Sequence, residues 1–391
     1  MHKTADVIVI GCGAVGSASL YQLAKRGVKV LGIDRFQPPH DRGSSHGDTR
    51  ITRLALGEGS QYVQFARRSH EIWHELERET GQTLLREVGG LYFGSANTHG
   101  QAHGSTDFLQ TTINVAREHR IPHEVLDVAS MRERFPQFHF RDDERGCFEH
   151  SAGFVHPEAC IAAQLKMAAR HGVELRTDEQ LIHWENNGGS VEVTTDRGTY
   201  GAAHLILTAG AWLPRIVPEL ASSARVLRQV LFWFEPDGPH ELFTPERLPV
   251  YIRVPDAGTN MFYGFPTIDG PSGGLKIAGE QFDCTTDPDS MKTEVSAEEV
   301  VAMHAVASPH LRITSRCVRS VVCKYTVTPD FHFIIDHAPN TERVWLASAC
   351  SGHGFKHSAA VGEALAEIVS DDRTKFDLSP FQLSRFASGS A

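Results

Sequence analysis

Three glycines near the start of the chain carry the first chemical signal. Gly11-Cys12-Gly13-Ala14-Val15-Gly16 spaces them as G-x-G-x-x-G. The first allows a tight turn, the second lets backbone approach a pyrophosphate, and the third lets a helix pack close to a strand. A helix opening at such a turn leaves N–H groups free to meet phosphate oxygens. Asp34 follows about twenty residues on, where an acid accepts hydrogen bonds from ribose hydroxyls. Gly11, Gly13, Ala14, Val15, Gly16, Asp34 and its neighbour Arg35 are therefore the candidate dinucleotide contacts. A purely structural glycine turn leaves Asp34 unexplained. No second fingerprint is evident, which favours FAD over NAD, although one fingerprint also serves an NAD-linked enzyme.

The other reactive residue types are less telling on spacing alone. The seven cysteines are Cys12, Cys147, Cys160, Cys284, Cys317, Cys323 and Cys350. The odd count and the lack of a C-x-x-C pair indicate neither a disulfide framework nor a zinc ribbon. His70 and His74 stand four apart, a ligand spacing, but the 22 histidines contain no H-E-x-x-H pair. No metal site is expected.

The elements that must position these groups are legible in the hydrophobic pattern. Asp6 to Ile10 is a short apolar run of the buried parallel-strand type. A helix from about Ser17 to Arg26, stopped by Gly27, and a strand over Val28 to Ile33 complete a βαβ opening. Tyr62 to Glu79 has an amphipathic stripe, and a further helix opens at His156-Pro157 and runs to Gly172. His204 to Leu207 and Val344 to Ser348 read as buried strands, and a last helix spans about His357 to Val369. Between about Val226 and Asp283 the texture changes to aromatic strands separated by Pro/Gly turns, which predicts an antiparallel sheet.

The 391 residues allow two to three domains at about 150 residues each. The textures interleave, so the fold class is α/β. A Rossmann-like dinucleotide domain with a mostly parallel sheet (1–86 with 146–222 and 318–391) alternates with an α+β domain on an antiparallel sheet (87–145 with 223–317). The chain is 41% hydrophobic and 22% charged, which is ordinary for a globular protein. A net charge of −10 lacks the footprint of a nucleic-acid binder. No run of about 18 apolar residues predicts a membrane span. The start Met1-His2-Lys3-Thr4-Ala5-Asp6 lacks the regions of a secretory signal, so a cytoplasmic location is the expectation.

Several stretches then fall into a recognisable order. Gly43-Ser44-Ser45-His46-Gly47-Asp48-Thr49-Arg50-Ile51-Thr52-Arg53 and Ser351-Gly352-His353-Gly354-Phe355-Lys356 are the most specific. Tyr263-Gly264-Phe265-Pro266, Leu275-Lys276-Ile277, Phe333-Ile334-Ile335-Asp336 and Phe376-Asp377-Leu378-Ser379-Pro380-Phe381 support them. Together they resemble the monomeric sarcosine oxidase and N-methyl-tryptophan oxidase family, from residue 6 to about 386. The resemblance implies a monomeric two-domain FAD enzyme acting on a small secondary amino acid. The C–N bond is oxidised to an imine, hydride passes to FAD, and O2 is reduced to hydrogen peroxide. Electron delivery to a partner instead of O2 is the alternative, and a non-catalytic FAD module is a third.

The same resemblance assigns roles. Lys276 stands beside the reactive flavin edge and promotes oxygen reduction, as a fixed cation would. Arg50 lies next to the flavin ring. Arg53 and Lys356 hold the substrate carboxylate, for which the planar arginine fork is suited. Tyr263, Tyr325 and His353 line the pocket. Ser44, His46, Thr49, Gly352, Gly354, Phe355 and Lys356 contact the cofactor. Period-two alternation puts Cys323 and Tyr325 on one strand face. A bare strand cysteine is usually a small core residue, but the resemblance makes Cys323 the flavin tether.

Two positions depart from the family. Four residues after its lysine the family commonly has an active-site histidine, and Glu280 stands there. Tyr251 matches a substrate-facing position, and Arg253 shares its strand face. An inward Arg253 would be a second cation for a dicarboxylic substrate such as iminodiacetate. Alternatively, Arg253 and Glu280 form a structural pair.

Overall fold

A computed structural model describes residues 4–256 and 261–389. Strand β1, Val7–Ile10, is four apolar residues, all buried. It pairs in parallel with β2, Val30–Ile33, on one side and with His204–Leu207 on the other. The six-stranded sheet runs Ile334–His337, Val344–Ser348, His204–Leu207, β1, β2, Glu174–Arg176. Only the Ile334–His337 edge is antiparallel to its neighbour.

Helix α1, Ala14–Lys25, starts three residues earlier than the pattern predicts. Gly13 stands at its N-cap with no side-chain hydrogen bond, so the first-turn N–H groups stay available to a ligand. Gly11 has φ +85°, and a Cβ on Gly16 would come within 1.9 Å of the Gly11 carbonyl oxygen. The turn therefore requires glycine at both positions. Small residues also let α1 meet the helix Ser358–Asp371, since a Cβ on Gly362 would lie 2.3 Å from that of Ala18.

The second large sheet has eight strands in the order Ile313–Val327, Arg225–Pro236, Leu275–Gly279, Phe262–Gly264, Val250–Arg253, Gly90–Ser95, Glu144–Glu149, His123–Leu126. Its pairs are antiparallel except Val250–Arg253 with Gly90–Ser95. Registration fixes what each face presents. Ile252 pairs with Tyr263, Tyr263 with Ala278, Lys276 with Trp233, Gln229 with Cys323 and Leu227 with Tyr325. Directly paired residues share a face, so Tyr263, Lys276, Cys323 and Tyr325 all emerge on the same side. The opposite face carries Tyr251, Phe262, Ile277, Phe232 and Phe234 into a separate apolar core with Phe138 and Leu311.

Two expected domain limits fall inside strands of this sheet. Position 146 interrupts Glu144–Glu149, and position 318 interrupts Ile313–Val327. The ladder of Ile313–Val327 with Arg225–Pro236 continues to Val327, opposite Arg225. That strand cannot be divided between domains without breaking its hydrogen bonds. Among the described residues no helix is long and apolar enough to cross a membrane.

Candidate active site

A single cavity of about 650 Å³ runs from the glycine turn to the eight-stranded sheet. At one end it is lined by Gly11, Gly13, Ala14, Val15, Asp34 and Arg35. Asp34 is held by two backbone donors, Cys12 N–H at 2.7 Å and Phe36 N–H at 2.8 Å, one to each carboxylate oxygen. Further along, Thr326 Oγ1, Ser348 Oγ and Ser358 Oγ are buried at the cavity wall with no partner among the described residues. Buried hydroxyls normally find a partner. The glycine cradle, the uncapped helix end, the oriented acid and the waiting hydroxyls fit an extended dinucleotide such as FAD.

Four side chains sit where that cradle meets the second sheet. Arg50, on the short strand Arg50–Thr52, donates to the carbonyls of Ser44 (2.7 Å) and Thr49 (2.8 Å). Lys276 Nζ donates to Gly47 O (2.6 Å), Thr49 O (2.7 Å) and Thr49 Oγ1 (3.1 Å). Burial, and then Arg50, push the Lys276 pKa well below its ordinary value. The three oxygens match the three donors of an ammonium, and Asp48, Cys323 and Glu158 oppose the shift. Cys323 lies beside Leu231, Trp233 and Ala278, and burial raises its thiol pKa against the opposing pull of Arg50 and Lys276. His46 is buried nearby, its pKa lowered to about 4 by burial and by Arg50. Lys276, Cys323, Thr49 and His46 stand behind the cavity wall, whereas Ser44 and Arg50 line it.

The far end is charged. Arg53 Nη2 donates to Glu58 Oε2 at 2.7 Å, and Lys356 Nζ donates to Glu58 Oε1 at 3.0 Å. Arg53 also donates to Ala55 O at 2.5 Å and lies over the rings of Phe108 and Tyr92. Lys356 donates to His353 O at 2.8 Å. All three charged side chains are at least 95% buried, with exposures of 2, 2 and 5%. Burial alone would raise the Glu58 pKa, but Arg53 and Lys356 hold it well below the carboxylate range. Burial lowers Lys356 to about 8, with Glu58 opposing. Burial likewise pushes His353 well below its usual value, which leaves the imidazole neutral. Tyr263 and Tyr325 place their hydroxyls 3.1 Å apart, and burial lifts Tyr263 to about 12.

Of the predicted residues, Tyr263, Glu280, Tyr325, Gly352, His353, Gly354, Phe355, Lys356 and Arg53 all line the cavity. Gly16 serves packing rather than the wall. Tyr251 and Arg253 do not face the cavity, which corrects the expectation for both. Their strand presents Ile252 to the cavity, and the alternation sends its neighbours to the other face. Tyr251 packs on Phe138 and Phe262. Arg253 pairs with Asp256 at 2.7 Å and lies 3.6 Å from Glu144. The alternative pairing with Glu280 fails as well, because Glu280 takes His103 at 2.6 Å. His70 meets Thr52 Oγ1 at 2.6 Å, and His74 meets Glu77 at 2.8 Å.

Glu58 and His103 line the cavity beside the predicted residues, and the sequence reading singled out neither. Glu58 could have been sought, because two buried cations without an acid would be costly. His103 lies in a loop with no periodicity, so nothing in the sequence pointed to it.

The pattern described as "FAD dependent oxidoreductase" matches residues 6–368. The chain is 37% identical to monomeric sarcosine oxidase of Streptomyces avermitilis, covering 100% of both chains. It is 32% identical to N-methyl-L-tryptophan oxidase of Yersinia pestis, covering 97% of this chain and 99% of that one. In fold it is similar to NikD, "an unusual amino acid oxidase essential for nikkomycin biosynthesis", at TM-score 0.80 and 22% identity over 97% and 98% of the two chains. Glycine oxidase from Geobacillus kaustophilus superposes at TM-score 0.76 with 20% identity, over 98% and 99%. The fold and the cradle define an FAD-dependent oxidoreductase. The chain belongs to the family of monomeric sarcosine oxidase and N-methyltryptophan oxidase, whose members are FAD-dependent amine oxidases.

Proposed function

We propose that the protein oxidises a secondary amino acid of the N-substituted glycine type that carries a single carboxylate. The observation behind this reading is the Arg53–Glu58–Lys356 triad at the far end of the dinucleotide cavity. Two buried cations face one buried acid, so the triad carries a surplus of one positive charge, which one carboxylate neutralises. A second carboxylate, as in iminodiacetate, would need Arg253, and that cation is engaged by Asp256 behind the sheet. The bound FAD would accept the hydride from the carbon next to nitrogen and return the electrons to O2 as hydrogen peroxide. Arg53 and Lys356 would orient the substrate through its carboxylate, and the apolar wall of Phe108, Ile252 and Met261 would exclude water.

Lys276 supports O2, rather than a partner protein, as the electron acceptor. A fixed cation stabilises charge that develops as oxygen is reduced. Cys323 supports a covalent flavin, because it is a thiol on the cavity side of the sheet, close to Arg50 and Lys276. A turnover panel of sarcosine, iminodiacetate, pipecolate and N-methyl-tryptophan, read by peroxide formation, tests the reading. Sarcosine or another monocarboxylate should be the best substrate. Iminodiacetate as the best substrate would overturn the charge argument, and substrate-driven flavin reduction without peroxide under air would overturn the oxidase reading.

A further inference from the structure

One acid–base pair in the cavity is left over once the carboxylate clamp is assigned. His103 sits in the bend before the helix Phe108–Glu118, with φ +46° and the Ala102–Ser105 bridge around it. Glu280 follows directly on Leu275–Gly279 and lies on the face of Lys276 and Ala278. The imidazole Nε2 is 2.6 Å from Glu280 Oε1, and the two side chains are only 5% and 6% exposed. Both line the cavity. Burial alone would lower the pKa of His103, but the adjoining carboxylate holds it above its ordinary value. Gly352 backs the pair, since a Cβ there would approach His103 to 3.0 Å and Glu280 Oε1 to 3.4 Å.

A carboxylate in a cavity that receives an anion is unfavourable unless it meets a donor. His103 uses one oxygen of Glu280, and the other has no hydrogen-bond partner among the described residues. The pair and the clamp flank the same residue. The His353 ring is 5.3 Å from that of His103, its Nδ1 is 3.9 Å from Glu58, and its carbonyl accepts from Lys356. An acceptor and an anion clamp so close together match an amine one carbon from a carboxylate.

We propose that the free oxygen of Glu280, held in place by His103, accepts a hydrogen bond from the amine N–H of the substrate. Glu280 is then a specificity-determining residue, and His103 is its positioning residue. This inference rests on the reading of the cavity as an amino-acid oxidase site.

The test compares two probes on the flavin-loaded enzyme. N-methylglycine is followed by anaerobic flavin reduction. Methoxyacetate, which keeps the carboxylate but replaces N–H with an ether oxygen, is followed by perturbation of the flavin spectrum. Glu280→Gln should weaken N-methylglycine binding by about 10- to 100-fold, the range of a charge-assisted hydrogen bond, and change methoxyacetate binding by less than about threefold. His103→Gln should move N-methylglycine in the same direction by about 3- to 10-fold, because the acceptor remains but is no longer fixed. If Glu280→Gln does not fold, the His103→Gln comparison decides in its place. Equal losses for both probes, or unchanged N-methylglycine binding, would overturn the proposal while leaving the oxidase reading intact. If neither probe affects the flavin of the parent enzyme, the oxidase reading fails and this inference fails with it.

Discussion

Replacing Glu58 by glutamine tests whether the clamp is built as the geometry requires. Each oxygen of Glu58 receives one charge-assisted bond, at 2.7 Å from Arg53 and 3.0 Å from Lys356. Such bonds contribute about 1.5–3 kcal/mol each, and removing one partner of a buried ion pair costs about 3–5 kcal/mol. Glutamine keeps one acceptor but turns an N–H donor towards the second cation. Glu58→Gln should therefore cost about 3 kcal/mol, a fall in Tm of roughly 5 °C in ligand-free protein.

The loss should depend on pH. The pKa of Glu58 lies well below its unfolded value of 4.5, so its stabilisation is fully present above that value. It is lost as the pH falls towards the folded value, because the unfolded chain then binds the extra proton. The gap between parent and variant should be constant from about pH 6 to 7 and narrow below about 4.5. Differential scanning fluorimetry across pH 3.5–7, with and without methoxyacetate, reads both effects. The ligand carboxylate should restore more stability to the variant than it adds to the parent, because it replaces the missing charge. A gap that stays constant below pH 4.5, or equal ligand stabilisation of both proteins, would refute the reasoning.

Three further outcomes follow from the same geometry. Lys276→Met should slow flavin reoxidation by O2 by about 10²- to 10³-fold in stopped-flow, with a much smaller effect on flavin reduction; equal slowing of both half-reactions would contradict its oxygen role. Acid-denatured parent protein should keep yellow fluorescence on a gel, whereas Cys323→Ala should release it; flavin lost from the parent as well would contradict the tether. Arg253→Met should leave kcat/KM within about threefold while costing about 1.5–3 kcal/mol in urea unfolding, because it removes a buried charge-assisted pair from Asp256, which Arg141 still holds; a selective rise in KM would return Arg253 to the cavity.

The dinucleotide end was legible because its chemistry is local. Gly11, Gly13, Gly16 and Asp34 fall within one βαβ unit, and backbone geometry requires glycine at 11 and 16. Arg53, Lys356, Tyr263 and Tyr325 were legible only through the resemblance, because they are brought together from remote strands and loops. Where the reading failed, at Tyr251 and Arg253, it lacked the parity of one short strand. Shifting Val250–Arg253 by one residue would exchange the faces, so without the register of Ile252 opposite Tyr263 the facing of either residue had no physical anchor. Glu58 and His103 were missed for a related reason, since each is defined by a partner distant in the sequence.

The register also settles how an acidic chain can present a cationic site. The net charge of −10 is spread over the whole protein, and at the surface water and salt screen it. Inside the cavity, local pairing decides. Arg253, the extra cation that invited a dicarboxylate, is removed by strand parity and neutralised by Asp256 on the other face. Glu280, a carboxylate in the same cavity, is matched by His103. What remains uncompensated is one charge shared by Arg53 and Lys356 across Glu58. On the proposed function the substrate's single carboxylate would complete that triad, and the Glu280 oxygen not used by His103 would be the acceptor for its amine.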